Sequence, residues 1–289
     1  MGKFDCNRLL NEYALSCIES YLLYLISEKR SDWPLIFSES YLPFIKVVEL
    51  FREGQNYSHF KGISRLQKVA ERYGFCKLKY VKDGKLSSEL IYKDPFAMQV
   101  NREYMRSKYG KELWRDDHYI FFKYSGNDEF NYINNIPVDS GNMTISKILD
   151  IYDGCIITFE MDPFAKIYKK EILGECIKNI IIQIEKKDEN NIHNTIEMKE
   201  ISLEDLRDII GVSKIIVKRM EAFVKAYDTM FCLSEYYNYL SRWYIKLEYA
   251  RLKKDISIQT SDIIAEINDK DNLFSQNLLK KAKEIWEKT

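Results

Sequence analysis

Residues 116–138, DDHYIFFKYSGNDEFNYINNIPV, decide how this chain is read. His118 through Tyr124 is dense in aromatic and β-branched residues, which favour an extended strand. Ser125-Gly126-Asn127-Asp128 is turn chemistry, Glu129 to Ile133 alternates polar and apolar, and Asn134-Asn135-Ile136-Pro137 interrupts the second strand. The segment therefore predicts a β-hairpin. Antiparallel pairing sets the start of one strand beside the end of the next, so His118 and the Asn pair come to the same end of the sheet. An Asn carbonyl there can hold the imidazole in one tautomer and one orientation. Such a hairpin supplies a base and its orienting group, and lacks a nucleophile.

The cysteines are the source of one. Six are scattered along the chain without a CxxC pair, and there are three histidines, so no zinc site or other metal is expected. In a reducing compartment the thiols stay free, and a free Cys is usually a small buried hydrophobe. A reactive thiol gains from a helix N-terminus, where the dipole and the unpaired amides lower its pKa and can receive an oxyanion. Cys6 and Cys17 both qualify. Cys17 heads CIESYLLYLISEK, a helical pattern over Cys17–Lys29 with Leu22, Leu25 and Ile26 on one face. Asn11 stands six positions upstream, where its side-chain amide can complete an oxyanion hole. Cys6 has too little chain before it for such a donor. Against Cys17, residues 11–16 (NEYALS) can also be helical, which would make it ordinary mid-helix core. Cys17 is the first candidate and Cys6 the second.

Composition bounds the class. A chain of 289 residues with 46% hydrophobic content can bury a full core and a second, smaller domain. Forty-four basic residues balance forty-four acidic ones, which leaves no electrostatic footprint for nucleic acid. No apolar run approaches the roughly 18 residues of a membrane span, and MGKFDCNRLL carries no secretory apolar region. A cytoplasmic protein without membrane or nucleic-acid partners is expected.

Periodicity organises the rest. Helical stretches over 42–52 and 63–73, a strand over 76–81, and a mixed segment over 87–109 with a strand-like Leu90-Ile91-Tyr92 precede the hairpin. A short helix over 145–152 and a closing strand, Cys155 to Glu160, follow it. This is an α+β pattern. After Met161-Asp162-Pro163 the composition turns helical, over 171–187, 202–228, 233–254, 260–267 and 272–287. The expected organisation is a catalytic domain over 1–162 and an all-helical domain over 163–289. The aromatic run Tyr236 to Tyr244 reads as packing against neighbouring helices or the first domain.

An N-terminal Cys leading a helix, a Trp-Pro-Leu-Ile-Phe segment, and a distant His before an apolar strand and an Asn-Asn-Ile-Pro turn together resemble the papain-like fold. Within it the chain is similar to the butirosin-biosynthesis H-type acyltransferases, which carry a helical domain behind the papain-like one, and to cysteine-protease homologues of polythioamide assembly. The resemblance covers the whole chain in layout, and in residues it rests on CIESYLLYLISEKRSDWPLIF and DDHYIFFKYSGNDEFNYINNIP. It implies transfer of an acyl chain from a carrier-protein thioester to a small amine, through an acyl-enzyme, with Cys17 as nucleophile, His118 as base and Asn135 as orienting residue. Many relatives carry Asp at the position of Asn135, so Asn134 and Asp139 stay open for that role. The carrier's phosphopantetheine arm arrives as part of the substrate, and no other cofactor is implied.

A transferase must limit water at the acyl-enzyme, and the helical domain can close the site or serve a homodimer. A cysteine peptidase or amidohydrolase would use the same residues, and a binding protein on this fold would use none of them. His59 and His193 read as solvated loop residues. The basic stretches at Lys166, Lys169 and Lys170 and over 102–111 read as solvated faces, with docking of an acidic carrier protein as the alternative.

Overall fold

The computed structural model describes residues 13, 15–42, 44–54, 66–82, 88–110, 118–161, 166–189 and 203–225, with helical positions 269, 273, 276, 277 and 280. In chain order the first elements are α1 (Cys17–Lys29), a 3-10 helix (Trp33–Phe37), α2 (Phe44–Arg52), α3 (Leu66–Arg72), β1 (Lys77–Lys82), α4 (Ser88–Lys93), β2 (Phe96–Val100) and α5 (Arg102–Tyr109). Then follow β3 (His118–Gly126), β4 (Glu129–Asn135), β5 (Val138–Thr144), α6 (Ile145–Ile151), β6 (Tyr152–Glu160), α7 (Lys169–Glu189) and α8 (Leu203–Lys225). Among the described residues the class is α+β, helices with one antiparallel sheet.

The sheet has six strands in the order β1-β6-β2-β3-β4-β5. The hairpin forms its outer half. Asn127 and Asp128 both take positive φ, 53° and 57°, which is the left-handed pair a tight hairpin turn needs. β4 then turns back at Ile136-Pro137 into β5, pairing Asn135 with Val138 and Asn134 with Asp139. β5 reads VDSGNMT, a polar edge strand with almost no apolar alternation, and its sequence alone did not predict it. Leu90-Ile91-Tyr92 is a correction of the opposite kind. It lies in helix α4, and the strand is the following FAMQV, buried on both faces.

Period-two alternation sends the strands' residues to two faces. On one, Phe96, Met98, Val100, Ile120, Phe122, Phe130, Tyr132 and Ile156 form a core with Ile91, Met105, Ile148 and Ile151 from α4, α5 and α6. On the other, Tyr21 of α1 stacks on Phe121 at 5.3 Å between ring centroids, and Tyr24 meets the same ring edge-on. Phe96, Phe121, Phe122, Phe130 and Phe159 are all fully buried. Burial of each contributes roughly 1.5–3 kcal/mol, so packing of these rings, rather than turn geometry, carries most of the sheet's stability.

The residues divide into two compact units. One holds the sheet, with chain up to Trp33 and from Leu66 to Ile167. The other takes in the chain from Tyr168 onward, but also the part between Pro34 and Arg65. This corrects the expected split at 162, because a helix of the N-terminal half belongs with the second unit. The reason is its apolar face: Val47, Val48 and Phe51 of α2 are buried, and α2 packs on α8, which buries Ile209, Val212, Ile216, Met220 and Phe223. The described elements of this second unit are all helical. The helices expected over 233–254 and 260–267, most of that over 272–287, and the aromatic run at 236–244 lie outside the described residues. No described helix is long and apolar enough to cross a membrane.

Candidate active site

Helix α1 begins at Cys17 because Ser16 caps it. Ser16 is extended (φ −68°, ψ 164°), its Oγ accepts the Glu19 backbone N–H at 3.2 Å, and the Glu19 carboxylate accepts the Ser16 backbone N–H at 3.0 Å. This reciprocal pair satisfies two donors that a helix start leaves unpaired, and it stops a helix from running through residues 15 and 16. The thiol therefore stands in the first turn, where the helix amides point. Backbone amides of Ile18 and Tyr119 hydrogen-bond it and favour the thiolate, but burial outweighs them and the Glu19 carboxylate adds to it, so the thiol is pushed above its ordinary range. It is held as a neutral thiol.

The same turn is fastened to the ends of β3 and β4. Tyr21 Oη donates to the backbone carbonyls of Tyr119 at 3.0 Å and Ile133 at 3.2 Å, where the two strands part. Ser20 Oγ donates to the Cys17 carbonyl at 2.7 Å and accepts from Asn135 Nδ2. Tyr119 directly follows His118, so the peptide between them is the meeting point of the helix that starts at Cys17 and the strand that starts at His118.

His118 is buried at the head of β3, and its Nε2 lies 2.6 Å from Asn134 Oδ1. A carbonyl oxygen only accepts, so Nε2 carries the hydrogen and the neutral ring's lone pair is on Nδ1. Burial pushes the imidazole below its ordinary pKa, and the bond to Asn134 opposes this without cancelling it. At neutral pH the ring is unprotonated.

The partner of His118 is thus Asn134, and the assignment to Asn135 is corrected. Register is the reason. Phe122 pairs with Tyr132, so the even-numbered residues of both strands share a face, and Asn135 turns to the other one, toward α1. Asp139 also makes no bond to the imidazole among those the structure shows. It lies across from Asn134 and takes the Tyr109 hydroxyl at 2.5 Å, the Tyr132 hydroxyl at 3.0 Å and Lys108 Nζ at 2.6 Å. Burial works against this carboxylate, but the three donors outweigh it and hold it below the ordinary range.

Cys6 and Asn11 lie outside the described residues, as do His59 and His193. The described cysteines Cys76, Cys155 and Cys176 are free and buried, and burial raises Cys76 and Cys176 to about 12, which suits inert core thiols. Among the described residues no three His, Cys, Asp or Glu side chains cluster as metal ligands would. Sequence reasoning missed Ser20, Tyr21 and Tyr109. The first two carried a usable signal, since positions three and four after a helical Cys lie beneath it on the same face. Compared with known proteins, the chain matches no family model and no curated protein.

Proposed function

We propose that this chain is a papain-like cysteine acyltransferase that forms an amide by moving an acyl chain from a carrier-protein thioester to a small amine. The observation that supports it is the arrangement at the 118–119 peptide: a thiol at a helix start against the Tyr119 amide, and an imidazole fixed by Asn134 as an Nδ1 base.

In the first step Cys17 Sγ attacks the thioester carbonyl as its proton passes to His118 Nδ1. The oxyanion rests on backbone amides at the start of α1. Collapse breaks the bond to the phosphopantetheine sulfur, which leaves with the proton from His118. An amine then attacks the acyl-enzyme, His118 takes its proton, and the released Cys17 sulfur recovers it. The half-buried thiol, held neutral, supports this order of events, because its proton must be taken up before the sulfur attacks. In the resting site the thiol's bonds are to backbone, and the proton transfer to Nδ1 belongs to the substrate complex.

The test is intact-mass spectrometry with peptide mapping after exposure to an acyl-pantetheine thioester. An adduct on Cys17 is expected in wild type and in Cys6→Ala, absent in Cys17→Ala and slowed in His118→Ala, with discharge by added amine outpacing discharge by water. Discharge by water alone would make the protein a hydrolase. No adduct across several thioesters and amides would refute cysteine catalysis.

A further inference from the structure

The Cys17 carbonyl can only accept, so the single hydroxyl proton of Ser20 goes to it, at 2.7 Å. Ser20 Oγ then has only lone pairs to offer in other directions, and Asn135 Nδ2 donates to one of them. Both side chains are buried. The other end of the amide, Asn135 Oδ1, is buried without a hydrogen-bond partner among the described residues. Asn135 is therefore engaged through its donor alone, and a carboxylate of the same shape would set an oxygen against the lone pairs of Ser20. The next residue of α1 is gripped from the same strand. Tyr21 Oη donates to the Ile133 carbonyl, and Ile133 and Asn135 share a face of β4. Neighbouring helix residues point about 100° apart, so holds on Ser20 and Tyr21 together fix the rotation of α1 about its axis.

The peptide that Ser20 holds is the one between Cys17 and Ile18. A peptide unit is planar and trans, so its C=O and N–H point in opposite directions, and fixing the carbonyl aims the amide. Helix amides point toward the helix start, and Ile18 lies in the first turn, where no carbonyl of the helix itself can take up its N–H. That amide therefore faces the end of α1 at which Cys17 stands. We propose that Asn135 is a positioning residue that, through Ser20, holds the Cys17–Ile18 peptide and with it the aim of the Ile18 amide as an oxyanion donor. This rests on the reading of Cys17 as the nucleophile. It gives the two adjacent asparagines at the end of β4 separate tasks, Asn134 at the imidazole and Asn135 at the helix.

Cysteine labelled with heavy carbon at the carbonyl and isoleucine labelled with heavy nitrogen leave three directly bonded pairs in the chain: Cys17–Ile18, Cys155–Ile156 and Cys176–Ile177. The pair missing from Cys17→Ala is the first. In Asn135→Ala, NMR of the full protein should show the Cys17 carbonyl and Ile18 amide signals displaced and the other two pairs in place. Cys17 alkylation by iodoacetamide should be slower by about five- to tenfold. Ser20→Ala should do the same, and adding Asn135→Ala to it should change nothing further. Asn135→Asp is the conservative rescue. Its carboxyl can donate to Ser20 when protonated and not when ionised, so the pair should lie near its wild-type position at low pH and move away as the carboxyl ionises. In acyl transfer Asn135→Ala should lower kcat and leave KM unchanged. An unmoved Cys17–Ile18 pair or unchanged alkylation in Asn135→Ala, or an effect of the same size in the Ser20→Ala background, would overturn the proposal. Both readouts need no acyl substrate. A displaced pair and slowed alkylation in Asn135→Ala, with no acylation of Cys17 in wild type, would therefore sink the transferase reading and leave the hold on the peptide standing.

Discussion

Removing one hydroxyl, in Tyr21→Phe, should loosen the joint between α1 and the ends of β3 and β4. The ring is fully buried and stacked on Phe121, and Phe keeps that stacking, so the change isolates the bonds to the Tyr119 and Ile133 carbonyls. Leaving a buried acceptor without its donor costs roughly 1–3 kcal/mol. A single proton is shared between the two carbonyls, so the expected loss is about 2 kcal/mol rather than twice that. For a unit of this size that is a fall of about 4–8 °C in melting temperature. Truncation to Ala would add the loss of the ring, for a total of roughly 3–5 kcal/mol. Urea unfolding of wild type, Tyr21→Phe and Tyr21→Ala measures both steps. The variant also frees the peptide beside the thiol, so Cys17 alkylation by iodoacetamide, measured well below the melting point, should slow in Tyr21→Phe. A stability within about 0.5 kcal/mol of wild type would refute the joint, since surface-like substitutions fall in that range.

The pH dependence of Cys17 alkylation should show an acid limb centred below the ordinary histidine value of about 6.5, because burial favours the neutral ring. Asn134→Ala should move that limb further to acid, since the lost bond supports the protonated form; a limb that stays or moves up would contradict the pairing. The same shift has a stability consequence. The unfolded chain protonates His118 more readily than the folded one, so stability should fall as pH drops from about 6.5 through the lower folded value, and His118→Gln should flatten that fall in thermal melts. Ser20→Ala and Asn135→Ala break one chain of bonds from opposite ends, so their effects on stability should be less than additive, and a double mutant equal to the sum of the singles would show the two to be independent. Gly141→Ala places a methyl 3.2 Å from the Tyr132 ring, whose hydroxyl serves Asp139, and should cost about 1 kcal/mol in urea unfolding; a neutral result would mean that the ring yields freely.

The chain's own pattern was enough for the elements at the heart of the site. Cys17–Lys29 has the boundaries of its helix written in a Ser-x-x-Glu cap and an apolar face, and the β3–β4 hairpin is written in a dense aromatic strand and an Asn-Asp turn. Both are local signals, read over a few residues, and local signals survive in sequence. Edge strand β5 and helix α4 were hidden because the first is polar throughout and the second is a β-like apolar triplet whose helical state is set by what packs around it. The assignment of α2 to the second unit was hidden as well, because an apolar helix face does not name the helix that will cover it.

The choice between Asn134 and Asn135 shows the division most clearly. Their sequence places two identical side chains at a strand end and leaves open which one meets the imidazole. Pairing register decides it, since a shift of one residue exchanges the faces, and that register is fixed by the aromatic packing of residues far away in the chain. Residue identity thus determined which chemistry is within reach: a thiol at a helix start, an imidazole at a strand head, and amides to orient them. Tertiary structure alone decided which amide meets the imidazole of His118 and which one is bonded to Ser20 of α1, because those relations are set by the face of a sheet and not by neighbours along the chain.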